Sequence, residues 1–409
     1  EVVQALSDVI KLNTVNGNEK IVADYLADLL AKHGIDSKAV AYEPDRVSLV
    51  AEIGDGNGPV VGFDGHEDIV ALGDAAKWDA DALSAKIADG KMFGRGTTDM
   101  KSGLMAGVFA MIHLKENNVP LHGTLRLMAT VGEEYGQFGA RQLAEAGYAK
   151  DLDTLIVGEP SGVVKQAVAT PQIQQMLQIN QDSANKLMAA NQTTEQHFIE
   201  LAHKGSLTYT VSAQGVAAHS SMPEIGKNAI DSLLTFYQKQ QAYFATITDK
   251  KNPVLGATVP VVTLIQGGEQ INTVPASASI SVKIRTIPEV PNTKLAADIQ
   301  QLIDELNANG EQLSLDIHSN LYPVHTADDA PVVKAAKEIG ETDLQQVLPL
   351  IGVPGGTDAS SFVAVNPDID VVVFGPGNIT AHQVNEYVDL DMYHRFITIY
   401  EKMITRLLA

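Results

Sequence analysis

Four stretches far apart in the chain, G-H-E-D at 65–68, G-R-G-T-T-D-M-K-S-G at 94–103, V-G-E-E-Y-G at 131–136 and A-H-Q-V-N-E at 381–386, carry side chains that two metal ions could share. His66 and Asp68 follow the apolar run 60–63. In an extended segment residues two apart point the same way, so Asp68 could hydrogen-bond one ring nitrogen of His66 while the other faces a metal. Asp99 lies among Gly94, Gly96 and Gly103, which allow close backbone approach just ahead of a helix; a carboxylate there could bridge two cations. Glu133 and Glu134 end an apolar strand and leave the backbone in different directions, so one can bind metal while its neighbour moves protons. Glu159, in V-G-E-P-S-G, ends the apolar stretch 155–157, and His382 sits in a loop after 371–374. Alone, a His-x-Asp pair or a Glu-Glu pair is more often ordinary surface chemistry. Together, at successive strand ends where open α/β sheets build their sites, they point to a two-metal hydrolase.

These ligands need elements to hold them, and the pattern supplies two kinds. Over residues 1–160 amphipathic helices alternate with short strands. Asn18 is a candidate cap for a helix with apolar face Val22, Leu26, Leu29 and Leu30, ending at Gly34. Strands are expected at 47–53, 60–63 and 123–131, with a helix at 102–116, which implies a mostly parallel sheet. The Gln-rich, Gly-free stretch 171–203 reads as an inserted helical hairpin. From 204 the order is strand 206–213, helix 227–244, strands 258–265 and 277–286, helix 294–309 and strand 312–318, the βαββαβ order of ferredoxin-like domains. A helix at 330–340, a strand at 370–374 and a helix at 389–408 then resume the first pattern. The expected architecture is α/β. A catalytic domain (1–203 and 319–409), mostly parallel with helices on both faces, carries a ferredoxin-like lid or dimerisation domain (204–318) as an insertion.

Composition narrows the chemistry. The 409 residues exceed the usual single-core size. A net charge of -21 disfavours nucleic acid and anionic membranes as partners, and no apolar run reaches the roughly 18 residues that suggest a membrane span. Residues 1–15 read as an amphipathic helix rather than a secretory signal. With no cysteine, thiolate ligands and cysteine nucleophiles are excluded, and a cytoplasmic location is the expectation. Neither G-x-G-x-x-G nor G-x-x-x-x-G-K-[ST] occurs, which argues against nucleotide binding; G-x-S-x-G and H-E-x-x-H are also missing, which argues against a serine hydrolase and a single-zinc zincin.

The order His-x-Asp, Asp, Glu-Glu, Glu in G-E-P, then a late His resembles the co-catalytic zinc metallopeptidase and deacylase family that includes succinyl-diaminopimelate desuccinylase, acetylornithine deacetylase, aminoacylase and glutamate carboxypeptidase. The match runs over nearly the whole chain. The resemblance implies two Zn²⁺ (or Co²⁺) ions, with His66 and Glu159 on one, Glu134 and His382 on the other, and Asp99 between them. It also implies that Glu133 is the general base and that Asp68 orients His66. In such a site paired ions polarise the scissile carbonyl and make water acidic enough to act near neutral pH.

G-V-A-A-H-S-S-M-P at 215–223 resembles the family's lid, in which His219 would reach across a homodimer and steady an oxyanion. Asn272 and Arg285 match positions that contact substrate, Arg285 as a grip for a carboxylate. In G-G-T-D-A-S, Gly356 and Thr357 match a loop whose backbone N–H groups lie near it. The phrasing is most similar to Gram-positive desuccinylase-like members. The implied substrate is a small N-acyl amino acid, with succinyl-diaminopimelate first (diaminopimelate and lysine biosynthesis), acetylornithine second and small peptides third. The chain departs from the pattern in its 171–203 insertion. It departs again at His203 and Lys204, where many Gram-negative-type desuccinylases carry two arginines. A non-catalytic binding protein on the same fold is the reading from a different class.

Overall fold

The computed structural model describes all 409 residues, which divide into two units: 1–202, 325–351 and 357–409 form one, and 203–324 with 352–356 the other. In chain order the elements used below are α1 (Val2–Ile10), α2 (Lys20–Lys32), β1 (Ser37–Glu43), β2 (Arg46–Gly54), β3 (Val60–His66), α3 (Lys101–Glu116), β4 (Thr124–Thr130), α4 (Phe138–Glu145), β5 (Thr154–Val157), α5 (Pro171–Leu177), α6 (Gln181–Ala190), β6 (Ile199–His203), β7 (Gly205–Gln214), α7 (Ala229–Ile247), β8 (Val259–Gly267), β9 (Ser277–Thr286), α8 (Asn292–Ala308), β10 (Leu313–Leu321), α9 (Pro331–Leu344), α10 (Ala359–Val365), β11 (Asp370–Val373) and α11 (Leu390–Leu407).

The first unit is built on a mixed sheet with strand order β1-β2-β4-β3-β5-β11-β6. Its centre, β4-β3-β5-β11, is parallel, and these strands are near-continuous apolar runs because both faces are covered. The flanking strands run antiparallel: β1 against β2, β2 against β4, and β6 against β11. The parallel core expected from the strand–helix alternation is therefore four strands wide. Its registers, His66 beside Thr130 and Asp64 beside Val157, bring the carboxyl ends of all four strands to one edge.

Two helices fix that edge. Every residue of α3 from Lys101 to Ile112 is buried, as expected for a helix that is apolar all round. Gly103 lets its first turn press against the strand end: a Cβ there would lie 1.8 Å from the Gly158 carbonyl oxygen, so any side chain would push Asp99 away from Glu159. In α11 the Asp389 carboxylate caps the N-terminus by accepting from the N–H groups of Asp391 and Met392. Met392, Phe396, Tyr400 and Met403 form its buried stripe. Phe396 packs edge-on against Phe374 at 4.7 Å, and the Tyr400 hydroxyl donates to the Phe374 carbonyl at 2.6 Å, which anchors the start of the loop bearing His382.

Two local expectations fail. Helix α2 begins at Lys20, and Asn18 adopts φ 61° instead of capping it, while the Glu19 carboxylate goes to Arg46 at 2.6 Å. Residues 171–190 form α5 and α6, but Glu195–His197 and β6 are strands: pairing with Gly162–Val164 and with β11 overrides a helical-looking composition.

The second unit has strand order β8-β9-β7-β10, all antiparallel, with α7 and α8 on one face. Alternation along β9 buries Ala278, Ile280, Val282 and Ile284 and leaves Ser279, Ser281, Lys283 and Arg285 on the other face. β8 is an edge strand, and Val259, Val261, Leu264 and Ile265 on it are exposed. No helix in the protein is long and apolar enough to cross a membrane.

Candidate metal centre

The carboxyl ends of β4, β3, β5 and β11 lead respectively into Glu133–Glu134, His66, Glu159 and the loop to His382. The loop ahead of α3 adds Asp99. His66 Nε2 lies 3.1 Å from Asp99 Oδ1 and 3.3 Å from Glu159 Oε1. His382 Nε2 lies 3.1 Å from Asp99 Oδ2 and 2.9 Å from Glu134 Oε1. Two three-residue groups thus share Asp99, one oxygen facing each imidazole, with potential ligand atoms within 4.8 Å of one another in each group. All five sequence-derived ligand candidates meet here. Glu133 stands beside them, its Oε2 3.9 Å from His66 Nε2.

Asp68 organises the neighbourhood. Its two carboxylate oxygens accept the backbone N–H groups of Glu133 and Glu134, each at 3.1 Å, pinning the turn that carries both glutamates. His66 Nδ1 donates to the Asp68 main-chain carbonyl at 2.9 Å, with the Asp68 carboxylate farther off at 3.4 Å. The expected orienting contact therefore comes chiefly from the backbone of the expected residue. With Nδ1 as donor, Nε2 faces three carboxylates; burial opposes a charge there, but Glu159 and Asp68 push the imidazole well above its ordinary value, so Nε2 is a site that takes a cation, a proton or a metal ion.

That convergence of acceptors is the test of fit for a metal. Imidazole nitrogen and carboxylate oxygen around two points form a donor set suited to zinc-class divalent cations, and lone pairs brought together need positive charge between them. The protonation equilibria carry the same signature. Burial pushes Glu133 well above the usual carboxylate range and Glu159 up to about 8. His382, hydrogen-bonded by Asp99 and Glu134, is pushed up to about 10. Burial opposes ionisation of Asp99 too, but the His382 and His66 imidazoles hold it well below its ordinary value. The pocket attracts cations, whether protons or metal ions.

Several buried groups at this edge escape the motif reading. Asp358, next to the motif residue Thr357, accepts from the Thr130 hydroxyl at 2.5 Å, and burial pushes it up to about 7. Lys101 donates to the carbonyls of Val9 and Leu12 at the end of α1, and burial pulls it down to about 7. Arg95 and Glu386 form a fully buried pair at 2.7 Å. Glu386 ends the A-H-Q-V-N-E stretch, so the signal lay in the sequence, but its partner is 291 residues away.

The remaining candidates divide between the units. Thr357 is buried at the start of α10, its carbonyl taken by the Gln137 amide at 2.8 Å, and Gly356 is exposed in the second unit. His219 is exposed, with Nδ1 2.8 Å from the Ser221 hydroxyl; a bridge from His219 to Thr273 sets it beside Asn272, whose carbonyl accepts from Ser220 N–H at 2.9 Å. Both lie off the Gln214–Ser277 end of the sheet, whereas Arg285 pairs with Ser206 at the other. Eight residue-to-residue steps along the strand separate Ser277 from Arg285, roughly 25 Å. One copy of this unit does not bring His219 and Arg285 to the same point.

Fold and site together define a metal-binding hydrolase class, and comparison with known proteins agrees. The sequence profile of peptidase family M20/M25/M40 matches residues 62–406. A Staphylococcus aureus protein called "Probable succinyl-diaminopimelate desuccinylase" is 37% identical over 98% of this chain and 96% of its own length. Among solved structures, the M20 family metallo-carboxypeptidase Sso-CP2 from Sulfolobus solfataricus superposes with a TM-score of 0.73 at 19% identity, covering 99% of this chain and 98% of that one. The Bacillus subtilis YXEP protein, described as a dinuclear metal binding peptidase, gives 0.68 at 15% identity, covering 100% and 97%. The chain belongs to peptidase family M20/M25/M40 and is a hydrolytic enzyme.

Proposed function

We propose that this enzyme cleaves the amide bond of an N-acyl amino acid with a pair of divalent cations, zinc or cobalt, and that its substrate is N-succinyl-LL-2,6-diaminopimelate. The observation that carries the reaction is Asp99, held with one carboxylate oxygen toward each imidazole and Glu133 alongside. His66, Glu159 and Asp99 would hold one ion; Glu134, His382 and Asp99 the other. Bound there, the ions supply Lewis-acid polarisation of the carbonyl and acidification of water. Glu133 accepts the proton from the attacking water and returns it to the leaving amine. Its buried setting suits that exchange, because burial raises the affinity of the carboxylate for a proton. Asp68 keeps Glu133 at its post through the two backbone N–H groups it accepts.

The succinyl reading is supported by the name of the 37%-identical relative and by the second unit's charges. Burial pulls Lys204 and Lys283 below the usual lysine value, and the nearby Arg285 charge pulls both further. None of the three forms an ion pair with a carboxylate, although Lys204 donates to the Ala257 carbonyl at 2.6 Å. Such a cluster suits a substrate rich in carboxylates. Diaminopimelate and lysine biosynthesis in the cytoplasm is the setting that goes with this substrate. A homodimer belongs to the same reading. The uncovered apolar edge β8 suits a second copy, and a second copy would supply the His219 that one copy leaves far from Arg285. Asn272 and the backbone of Gly356 and Thr357 are the remaining proposed substrate contacts.

The test is metal analysis followed by kcat/KM for succinyl-diaminopimelate, acetylornithine, other acyl amino acids and dipeptides. Two ions per chain and a lead of at least about tenfold for the succinyl substrate are expected, tenfold being about 1.4 kcal/mol of discrimination. A dipeptide in the lead overturns the substrate; an inert, metal-free protein overturns the reaction.

A further inference from the structure

We propose that the buried Arg95–Glu386 pair is a positioning hub that sets the Asp99–His382 half of the ion site; this rests on the two-ion reading and adds residues which that reading leaves unused. Glu386 is 0% exposed. Its Oε1 accepts three backbone N–H groups, from Gly96, Thr98 and Asp99, each at 3.0 Å. Its Oε2 accepts from Arg95 Nη1 at 2.7 Å. A carboxylate offers about four lone-pair positions, so these donors saturate it. Arg95 spends its other donors on carbonyls: Ala71 at 3.2 Å and Gln383 at 2.9 Å, with Leu72 and His382 at the margin of bonding distance. Its guanidinium lies 5.3 Å from the centre of the Trp78 ring.

The consequence is geometric. The segments after His66, before Asp99 and around His382 all meet at this one pair. A two-stranded ladder of Lys91–Phe93 with Tyr387–Asp389 zips the second and third segments together and ends at Phe93 opposite Tyr387. One further backbone bond, Gly94 N–H to the Glu386 carbonyl at 2.9 Å, and the Thr98 hydroxyl donating to the Tyr387 carbonyl at 2.6 Å extend this tie, and beyond them the Glu386 carboxylate gathers the amides of the loop that ends in Asp99. His66 and Glu159 stand at the ends of sheet strands and do not depend on this support. His382 does: it is half exposed, on a loop, in the left-handed region at φ 63°. A single buried carboxylate four residues along the same loop thus ties the bridging aspartate to the exposed histidine.

The test titrates metal-free wild type, Glu386→Gln and Arg95→Lys with Zn²⁺ against a chromophoric chelator, and records thermal midpoints of the metal-free proteins. In Glu386→Gln the new amide keeps the shape and can still accept through its carbonyl oxygen, but turns a donor toward Arg95. In both variants the Glu134–His382 ion, for which two ligands lose their support, is expected to lose about 10–100-fold in affinity, as outer partners of ligands do, while the His66–Glu159 ion, which shares only Asp99, changes by only about threefold. Saturating Zn²⁺ restores kcat to within a few-fold. Unaltered affinity for both ions in both variants overturns the hub, as does parallel loss of both ions together with a lowered midpoint, which is what a merely structural role produces. A wild-type protein that takes fewer than two ions overturns the two-ion reading, and the hub falls with it.

Discussion

The two units handle charge in opposite ways. At the strand ends of the first, Asp64, Glu67, Asp68, Arg95, Lys101 and Glu386 are all at most 2% exposed. In the second, the sheet buries an apolar face against α7 and α8 and leaves Lys283 and Arg285 on the open face among serines and threonines. Holding several carboxylates together requires compensation, and the first unit provides it through backbone amides and arginine for some of them, while both oxygens of Glu67 and one of Asp64 stay without a hydrogen-bond partner and burial pushes these two carboxyls well above the usual range. Asp68 takes two N–H groups, Glu386 takes three, and Glu19 takes Gly132 N–H together with Arg46. Recognising a charged substrate needs no such scaffold, only cations without a fixed anionic partner. Changes to the buried carboxylates and arginine of the first unit should therefore act on chemistry and metal, and changes to the cations of the second on substrate affinity.

The largest effect expected is at Glu133. Glu133→Gln should lower kcat by about 10²–10⁴-fold while both ions stay bound, as steady-state kinetics with metal analysis would show; near-normal turnover removes Glu133 from proton transfer. Next come the two histidines. His66→Ala should weaken its ion by more than the roughly 100-fold that outer partners can cost, whereas His382→Ala should leave the His66 ion in place. Equal losses in a zinc titration would contradict the distinction between a strand-end half and a loop half. In the second unit, Arg285→Leu should raise KM roughly 10–100-fold with kcat within a few-fold, since a charge-assisted hydrogen bond is worth about 1.5–3 kcal/mol. A fall confined to kcat would place Arg285 in the chemistry and erase the contrast between units.

The last effect is on stability and leaves activity aside: it concerns the second unit's buried His203, whose imidazole burial pulls down to about 4. A depressed histidine is neutral in the folded protein, so its contribution is present above the unfolded value near 6.5 and is lost as pH falls from about 6.5 toward 4. The loss amounts to about 3 kcal/mol over that window at about 1.36 kcal/mol per pKa unit. His203→Gln should flatten the fall of stability with acid between these limits, measured by denaturant unfolding at a series of pH values. An unchanged slope would mean that His203 is not the group responsible.

Much of this is legible in the residues. The second unit's six elements follow from alternation in 206–213 and 277–286 and from the helical periods between them, because a sheet with one covered face writes its register into every second residue. The ligands are legible because each sits at the end of an apolar run or beside a glycine-rich turn. Asn18 misleads because a cap signal is local, while its neighbour Glu19 is claimed by Arg46 from another element. Residues 195–203 mislead because strand partners outweigh composition. Arg95, Lys101, Asp358 and Glu386 lie inside the quoted motifs, but nothing local shows what each one does, since their meaning lies in partners up to 291 residues distant.

What the amino-acid order settled by itself is the supply: histidine and carboxylate donors without a thiol, set at the ends of strands, with two families of periodicity for two units. Only tertiary structure decided how the donors meet: which oxygen of Asp99 faces which imidazole, and that Asp68 orients His66 mainly through its carbonyl. It also decided that Glu386 closes the loop before Asp99. Side-chain type and spacing act over a few residues, whereas a hydrogen bond forms only where the packed backbone leaves donor and acceptor about 3 Å apart.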